Sequence, residues 1–211
     1  MYRTRIKICG ITRVEDALLA CALGADAIGM VMTPASPRCV TLERARAIRG
    51  ALPAFVDAVV LTHDLPRERV QAIIDGVRPD YVQFHGLEDA AFCASFELRY
   101  TKAIGMDGDV DVRTIAAGHR QAAGFVLDGH PPGQQGGRGK TFDWSRIPRD
   151  LGRPVILAGG LDAGNVARAI HMVRPWAVDL ASGVESAPGI KDAAKMRAFF
   201  AAVRAADAGL P

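Results

Sequence analysis

Lys7 and Cys9 stand two residues apart in the stretch Arg5–Thr12, which reads R-I-K-I-C-G-I-T. Successive side chains of a strand point to opposite faces, so Lys7 and Cys9 share one face while Ile6 and Ile8 share the other. A thiol with a cation one pleat below it can serve as a base, because the positive charge favours the thiolate. Gly10 ends the strand, and Thr12 with Glu15 three residues later reads as a helix N-cap and capping box. The unit is therefore strand, tight turn, helix, with the thiol at the strand's C-terminal end. In parallel α/β proteins that end is where ligands bind.

The remaining residues with chemical potential fall at similar points. Arg38 closes a loop reading T-P-A-S-P-R, and His85 follows Val82-Gln83-Phe84. Asp128 ends the run Gly124–Leu127, Gly159 and Gly160 follow Pro154–Leu157, and Asp179 precedes Ala181-Ser182-Gly183-Val184. A sheltered carboxyl such as Asp128 can act as an acid, and Arg38 can hold a carboxylate. Glycines at 159–160 and 183 let backbone N–H groups of Gly159, Gly160, Ser182, Gly183 and Val184 approach an anion, the pattern of a phosphate grip. Each residue also has a plain reading: a small buried Cys9, a loop-capping Asp128, a surface Arg38, a turn at His85-Gly86, an Asp179 paired with Lys7 or Arg5. Recurrence at equivalent points of one repeating unit favours the chemical reading. The Gly- and Pro-rich loop 129–143 exceeds an ordinary connection and reads as a lid, with Arg138 and Lys140 meeting an anionic substrate.

Strands must hold these residues in place. Expected strands are Ile6–Cys9, Ala27–Met32, Phe55–Leu61, Tyr81–Phe84, Tyr100–Ile104, Gly124–Leu127, Pro154–Leu157 and Ala177–Leu180. Helical spacing of apolar residues marks Arg13–Leu23, Leu42–Leu52, Arg67–Val77, Glu88–Phe96, Val110–Ala117, Ala163–Val173 and Ala193–Val203, with a short turn near Asp143–Ile147. Thr41 reads as a cap, Pro66 as a first helical residue, and Gly24 and Gly76 as helix ends. Eight β/α units in 211 residues predict a single-domain (β/α)8 TIM barrel of the α/β class. A doubly wound open sheet is the alternative, weakened by the strand count and by the lack of G-x-G-x-x-G after the first strand.

Composition excludes several classes. A net charge of +3 without a Lys/Arg run argues against nucleic acid and suits a small anionic substrate. No apolar run spans a membrane, and the four cysteines form no C-x-x-C pair. The expectation is a cytoplasmic protein with reduced thiols and no metal site. A monomer is favoured over a homodimer, since no exposed apolar loop is evident.

The segments K-I-C-G-I-T, A-D-A-I-G-M-V, S-P-R, V-Q-F-H-G, V-L-D, G-G-R-G-K-T-F-D-W, L-A-G-G-L and V-D-L-A-S-G-V-E resemble, in order, the phosphoribosylanthranilate isomerase family of tryptophan biosynthesis. The resemblance implies a (β/α)8 barrel without metal or organic cofactor. It implies an Amadori rearrangement of N-(5′-phosphoribosyl)anthranilate to 1-(2-carboxyphenylamino)-1-deoxyribulose 5-phosphate. It further implies Cys9 as general base, Asp128 as general acid and Arg38 on the anthranilate carboxylate, with the loops at Gly159–Gly160 and Ser182–Val184 on the phosphate. Departures fall at Ala181, Cys39, Thr62-His63-Asp64 and Arg138. The alternatives are the related histidine-pathway isomerase, which carries Asp at the position of Cys9, and a non-catalytic barrel that binds a phosphorylated ligand.

Overall fold

The computed structural model describes residues 3–134 and 141–210. Strand β1 (Arg5–Ile8) obeys its period-2 pattern. Ile6 and Ile8 join the large core that also holds helical Ala17, Ala20 and Phe199. Cys9 instead belongs to a small separate cluster with Val59 and Leu61. The two clusters are the two faces of one curved sheet: an outer layer against helices and an inner layer within the barrel.

Strands β2 (Ala27–Val31), β3 (Asp57–Thr62), β4 (Tyr81–Phe84), β5 (Tyr100–Gly105), β6 (Gly124–Asp128), β7 (Val155–Leu157) and β8 (Ala177–Leu180) follow in order around a closed barrel. Every neighbouring pair is parallel, and β8 returns to β1 with Lys7 in register with Asp179. The sheet is closed, not doubly wound. Outside it lie α1 (Val14–Leu23), α2 (Leu42–Ala51), α3 (Arg67–Val77), α4 (Ala90–Ala94), α5 (Val112–Gly118), α6 (Val166–Val173) and α7 (Ala193–Ala208). Between β6 and β7 the only described helical element is a 3-10 turn at Trp144–Arg146, capped by Asp143. After β8 comes a second 3-10 turn, Ser182–Val184, and then a hairpin of β9 (Glu185–Ala187) and β10 (Ile190–Lys191).

Several local expectations are corrected. Thr12 does not cap α1: Arg13 holds the cap position without a side-chain bond to the helix. The Thr12 hydroxyl donates instead to the Gly189 carbonyl, tying the first turn to the hairpin. Arg13 grips Asp16 through two bonds of 2.9 and 2.7 Å, an alternative stabilisation of that first turn. Gly76 is not a helix end; α3 runs past it to Arg78, which takes the left-handed conformation. A Cβ at Gly76 would lie 2.8 Å from Leu42 Cδ1, so glycine here allows α2 and α3 to approach. Pro66 stands one place before the helix, as its cap residue. The helix expected from Glu88 begins at Ala90, because buried Glu88 turns inward to Lys102, 3.1 Å away, and Asp89 takes the cap. Phe55 is not in β3; it is fully exposed, with φ of 69°. Thr41 caps α2 by accepting from the Arg44 N–H, and Gly24 ends α1 in the left-handed region, both as expected.

Candidate active site

A closed parallel barrel brings all strand C-termini to one mouth, and there a cavity of about 800 Å³, open mouth included, is found. Cys9, Arg38, His85, Asp128 and Asp179 line it, as do Gly159, Gly160, Ser182 and Gly183. Val184 does not; its side chain is buried in the outer core. Arg138 and Lys140, and much of the expected lid, lie outside the described residues.

Cys9 is nearly buried at the end of β1, its N–H bonded to the Leu180 carbonyl at 2.8 Å. Gly29 on β2 makes the room: a Cβ there would sit 2.9 Å from Cys9 Sγ and 3.0 Å from Lys7 Nζ. Lys7 Nζ lies 2.7 Å from Asp179 Oδ2, both buried. Burial raises the Cys9 thiol above its ordinary range, and the pull of Lys7 and Lys191 does not reverse it. Lys7 does favour the thiolate, but desolvation outweighs it and Asp179 opposes it further. Asp179 Oδ1 is buried without a hydrogen-bond partner among the described residues.

Arg38 is held rather than free. Its Nε and Nη2 grip the Glu185 carboxylate at 2.9 and 2.7 Å, a bidentate geometry. Gly10, with φ of 67°, passes beneath; a Cβ there would come within 2.5 Å of Arg38 Cδ. Glu185 also accepts from Lys191 at 2.9 Å, and Lys191 reaches the Cys9 carbonyl at 2.6 Å. Despite burial, bonding to Arg38 and Lys191 holds the Glu185 carboxyl below its ordinary range. Neither Glu185 nor Lys191 was singled out from sequence. The available signal was the Pro188-Gly189 turn, which folds the two residues together.

Asp128 ends β6. Burial raises its carboxyl above the usual range, with the His130 imidazole opposing. His85 Nε2 lies 4.0 Å from Asp128 Oδ2 and 2.8 Å from Nε2 of His130. Burial first, and His130 second, push His85 well below the ordinary imidazole range. His130, Gln83 and His63 were not assigned to the site from sequence, although His130 stands only two residues beyond Asp128.

The β7 and β8 loops interlock. Gly159 and Gly160 both have positive φ, 84° and 62°. A Cβ on Gly183 would fall 1.9 Å from the Leu161 carbonyl oxygen, so only glycine fits. The N–H groups of Gly160, Ser182 and Gly183 have no backbone acceptor among the described residues. They form a donor-rich rim on the cavity, the arrangement that suits an anion.

Residues 6–202 match the family model described as N-(5′-phosphoribosyl)anthranilate (PRA) isomerase. A relative of that name from Xanthomonas oryzae pv. oryzae is 51% identical over 213 residues, covering 98% of this chain and 96% of its own. A crystal structure of phosphoribosyl anthranilate isomerase, in complex with reduced 1-(o-carboxyphenylamino)-1-deoxyribulose 5-phosphate, is similar at a TM-score of 0.85. It is 36% identical, covering 96% of this chain and 99% of that one. Monomers generated from the dimeric enzyme of Thermotoga maritima are similar at a TM-score of 0.84 and 35% identity, over 98% and 100% of the two chains.

Proposed function

This chain belongs to the N-(5′-phosphoribosyl)anthranilate isomerase family, and we propose a division of labour among the residues at its barrel mouth. The reaction is the aldose-to-ketose isomerisation of N-(5′-phosphoribosyl)anthranilate in tryptophan biosynthesis. The family result sets aside the histidine-pathway isomerase and the non-catalytic barrel. The observation that carries the division is the convergence of Cys9, Asp128, Arg38 and the glycine rim on one cavity.

The substrate phosphate binds the free N–H groups at Gly160, Ser182 and Gly183. Arg38 takes the anthranilate carboxylate through the guanidinium edge that Glu185 leaves free, and Glu185 sets its orientation. Asp128, its carboxyl raised above the ordinary range by burial, gives its proton to the ring oxygen as the ring opens to an imine. The protonated imine is a cation placed beside a buried thiol. It favours the thiolate, the thiol's own proton passing to solvent at the open mouth, and the Cys9 thiolate then takes the proton from sugar carbon 2. The resulting enol amine then becomes the ketone. Asp179 Oδ1, unpartnered and on the cavity wall, offers an acceptor to a sugar hydroxyl, and His85 adds a neutral imidazole on the opposite side. Complementation of a tryptophan auxotroph lacking this step, together with turnover by the purified protein, tests the reading. Growth without measurable turnover, or neither, counts against it.

A cytoplasmic location fits the four free cysteines, and no described helix is long and apolar enough to cross a membrane. Set against the monomer expected from sequence, Phe55 is wholly exposed and Trp176 half so. With a dimeric relative of similar fold, a homodimer is the better reading, and light scattering on an eluting peak distinguishes the two.

A further inference from the structure

We propose that His85, Asp128 and His130 form a binding site for a zinc-class divalent cation, and that filling this site withdraws Asp128 from the isomerisation. The three side chains direct one ligand atom each into a common volume, all within 4.8 Å of one another. Two imidazole nitrogens and one carboxylate are a donor set that suits zinc, cobalt or nickel better than magnesium or calcium.

The tautomers sharpen the argument. His130 Nδ1 lies 2.8 Å from the Pro131 carbonyl oxygen. A carbonyl only accepts, so this nitrogen carries the proton, and His130 Nε2 presents a lone pair. An imidazole pinned through its other N–H to a backbone carbonyl is the arrangement of metal-bound histidines. That lone pair points at His85 Nε2, 2.8 Å away. Without a metal, His85 satisfies it by carrying its proton on Nε2. The far side of His85 then accepts from the Gln83 amide nitrogen at 3.5 Å, and Gln83 Oε1 is left buried with no partner among the described residues. An orphaned buried acceptor is costly. Turning the Gln83 amide over brings Oε1 to His85 Nδ1, which then carries the proton. His85 Nε2 then becomes a second lone pair facing the first, and a cation between them satisfies both.

Fit demands small motions. A tetrahedral zinc at about 2.0–2.1 Å from each nitrogen needs the rings to part slightly and Asp128 to close its 4.0 Å gap to His85. Three protein ligands leave a fourth position open to the cavity, where solvent or a ligand exchanges. A ligating Asp128 is a carboxylate, so its acid proton is released and no proton remains for the ring oxygen. The inhibitory half of the proposal rests on Asp128 as the acid; the binding half does not.

The purified protein is titrated with Zn2+ and with Co2+, with turnover followed in parallel. One equivalent should bind, abolish turnover and be removed by EDTA with full recovery. Bound Co2+ should give the visible bands of a nitrogen- and oxygen-ligated ion without a thiolate-to-cobalt charge-transfer band. His130→Asn keeps a donor for Pro131 but loses the Nε2 ligand. It should retain turnover in chelator and shift the zinc midpoint by roughly tenfold or more. His130→Gln is a second variant should the first fold poorly. Equal zinc sensitivity of wild type and variant, or a charge-transfer band, would place the ion on Cys9 or another thiol and overturn the proposal. His130-dependent binding without loss of turnover would overturn the withdrawal of Asp128, and with it the acid role assigned above.

Discussion

Lys7 Nζ and Asp179 Oδ2 meet at 2.7 Å across the seam where β8 closes onto β1, on residues paired in register. The bond therefore joins the first and last strands of the barrel directly beneath the reactive thiol. Burial works against the charge on Lys7, and Asp179 more than offsets it, so the lysine pKa is raised. Asp179→Asn should cost about 3–5 kcal/mol, since it leaves a buried charge without its partner. The same change removes an anion that raises the Cys9 thiol, so alkylation of Cys9 near neutral pH should quicken. Denaturant unfolding and the iodoacetamide rate measure the two effects; slower alkylation would separate Asp179 from the tuning of Cys9.

Cys9→Ser should bind product and lose most turnover, because a hydroxyl is a far weaker base than a thiolate. Iodoacetamide should inactivate the wild type at Cys9, and a product analogue should slow this. Mass spectrometry of the alkylated peptide identifies the site. Near-normal turnover by the serine variant would pass the role of base to Asp179.

Asp128→Asn should lower kcat by about 10²–10⁴-fold with little change in product affinity, the usual effect of removing one positioned acid. A fall of less than tenfold would exclude Asp128 as the essential acid.

The pH profile follows from the two shifts. Burial raises both groups from their ordinary ranges, with the carboxyl the lower of the two and the thiol the higher. Turnover needs protonated Asp128 and ionised Cys9. As pH rises to the Asp128 pKa, the thiolate fraction grows and kcat/KM climbs. Between the two pKa values the gain in thiolate offsets the loss of acid, and kcat/KM is flat. Above the thiol pKa it falls. The alkaline limb should coincide with the pKa from Cys9 alkylation, and a limb below the ordinary thiol range would refute this assignment.

Glu185→Gln should act through Arg38. Loss of the charged bidentate grip frees the guanidinium to sample other rotamers, so KM should rise with kcat changed less. Arg38→Ala should raise KM further. If Glu185→Gln altered kcat alone, Glu185 would act on the chemistry and not on the placement of Arg38.

Gly29→Ala tests the space around the thiol. Its Cβ would lie 2.9 Å from Cys9 Sγ, and such overpacking costs about 1–3 kcal/mol. Turnover should fall together with the alkylation rate, both measured on a folded variant. An unchanged thiol would show that the barrel yields at this point.

Local information in the chain was enough for the barrel and for much of the mouth. Alternation in R-I-K-I-C and eight strand-helix units need only the pleat and the helical period, and both act over a few residues. Polar residues directly after strands are visible for the same reason, so Cys9, Arg38, His85, Asp128, Asp179 and the glycine loops were legible as cavity-lining positions. What pairs with what was not. Lys7 finds Asp179 172 positions away, and Arg38 finds Glu185 147 away. His85 meets His130 45 positions on. Thr12 looked like a cap because capping is local, yet its hydroxyl serves Gly189, which only closure of the barrel brings near. Gly76 looked like a helix end because glycine often is, yet the approach of Leu42 is what requires it. The balance at Cys9 also belongs to the tertiary level. A nearby lysine in sequence argues for a thiolate, but burial and the partner of that lysine are properties of the closed barrel, and they raise the thiol instead.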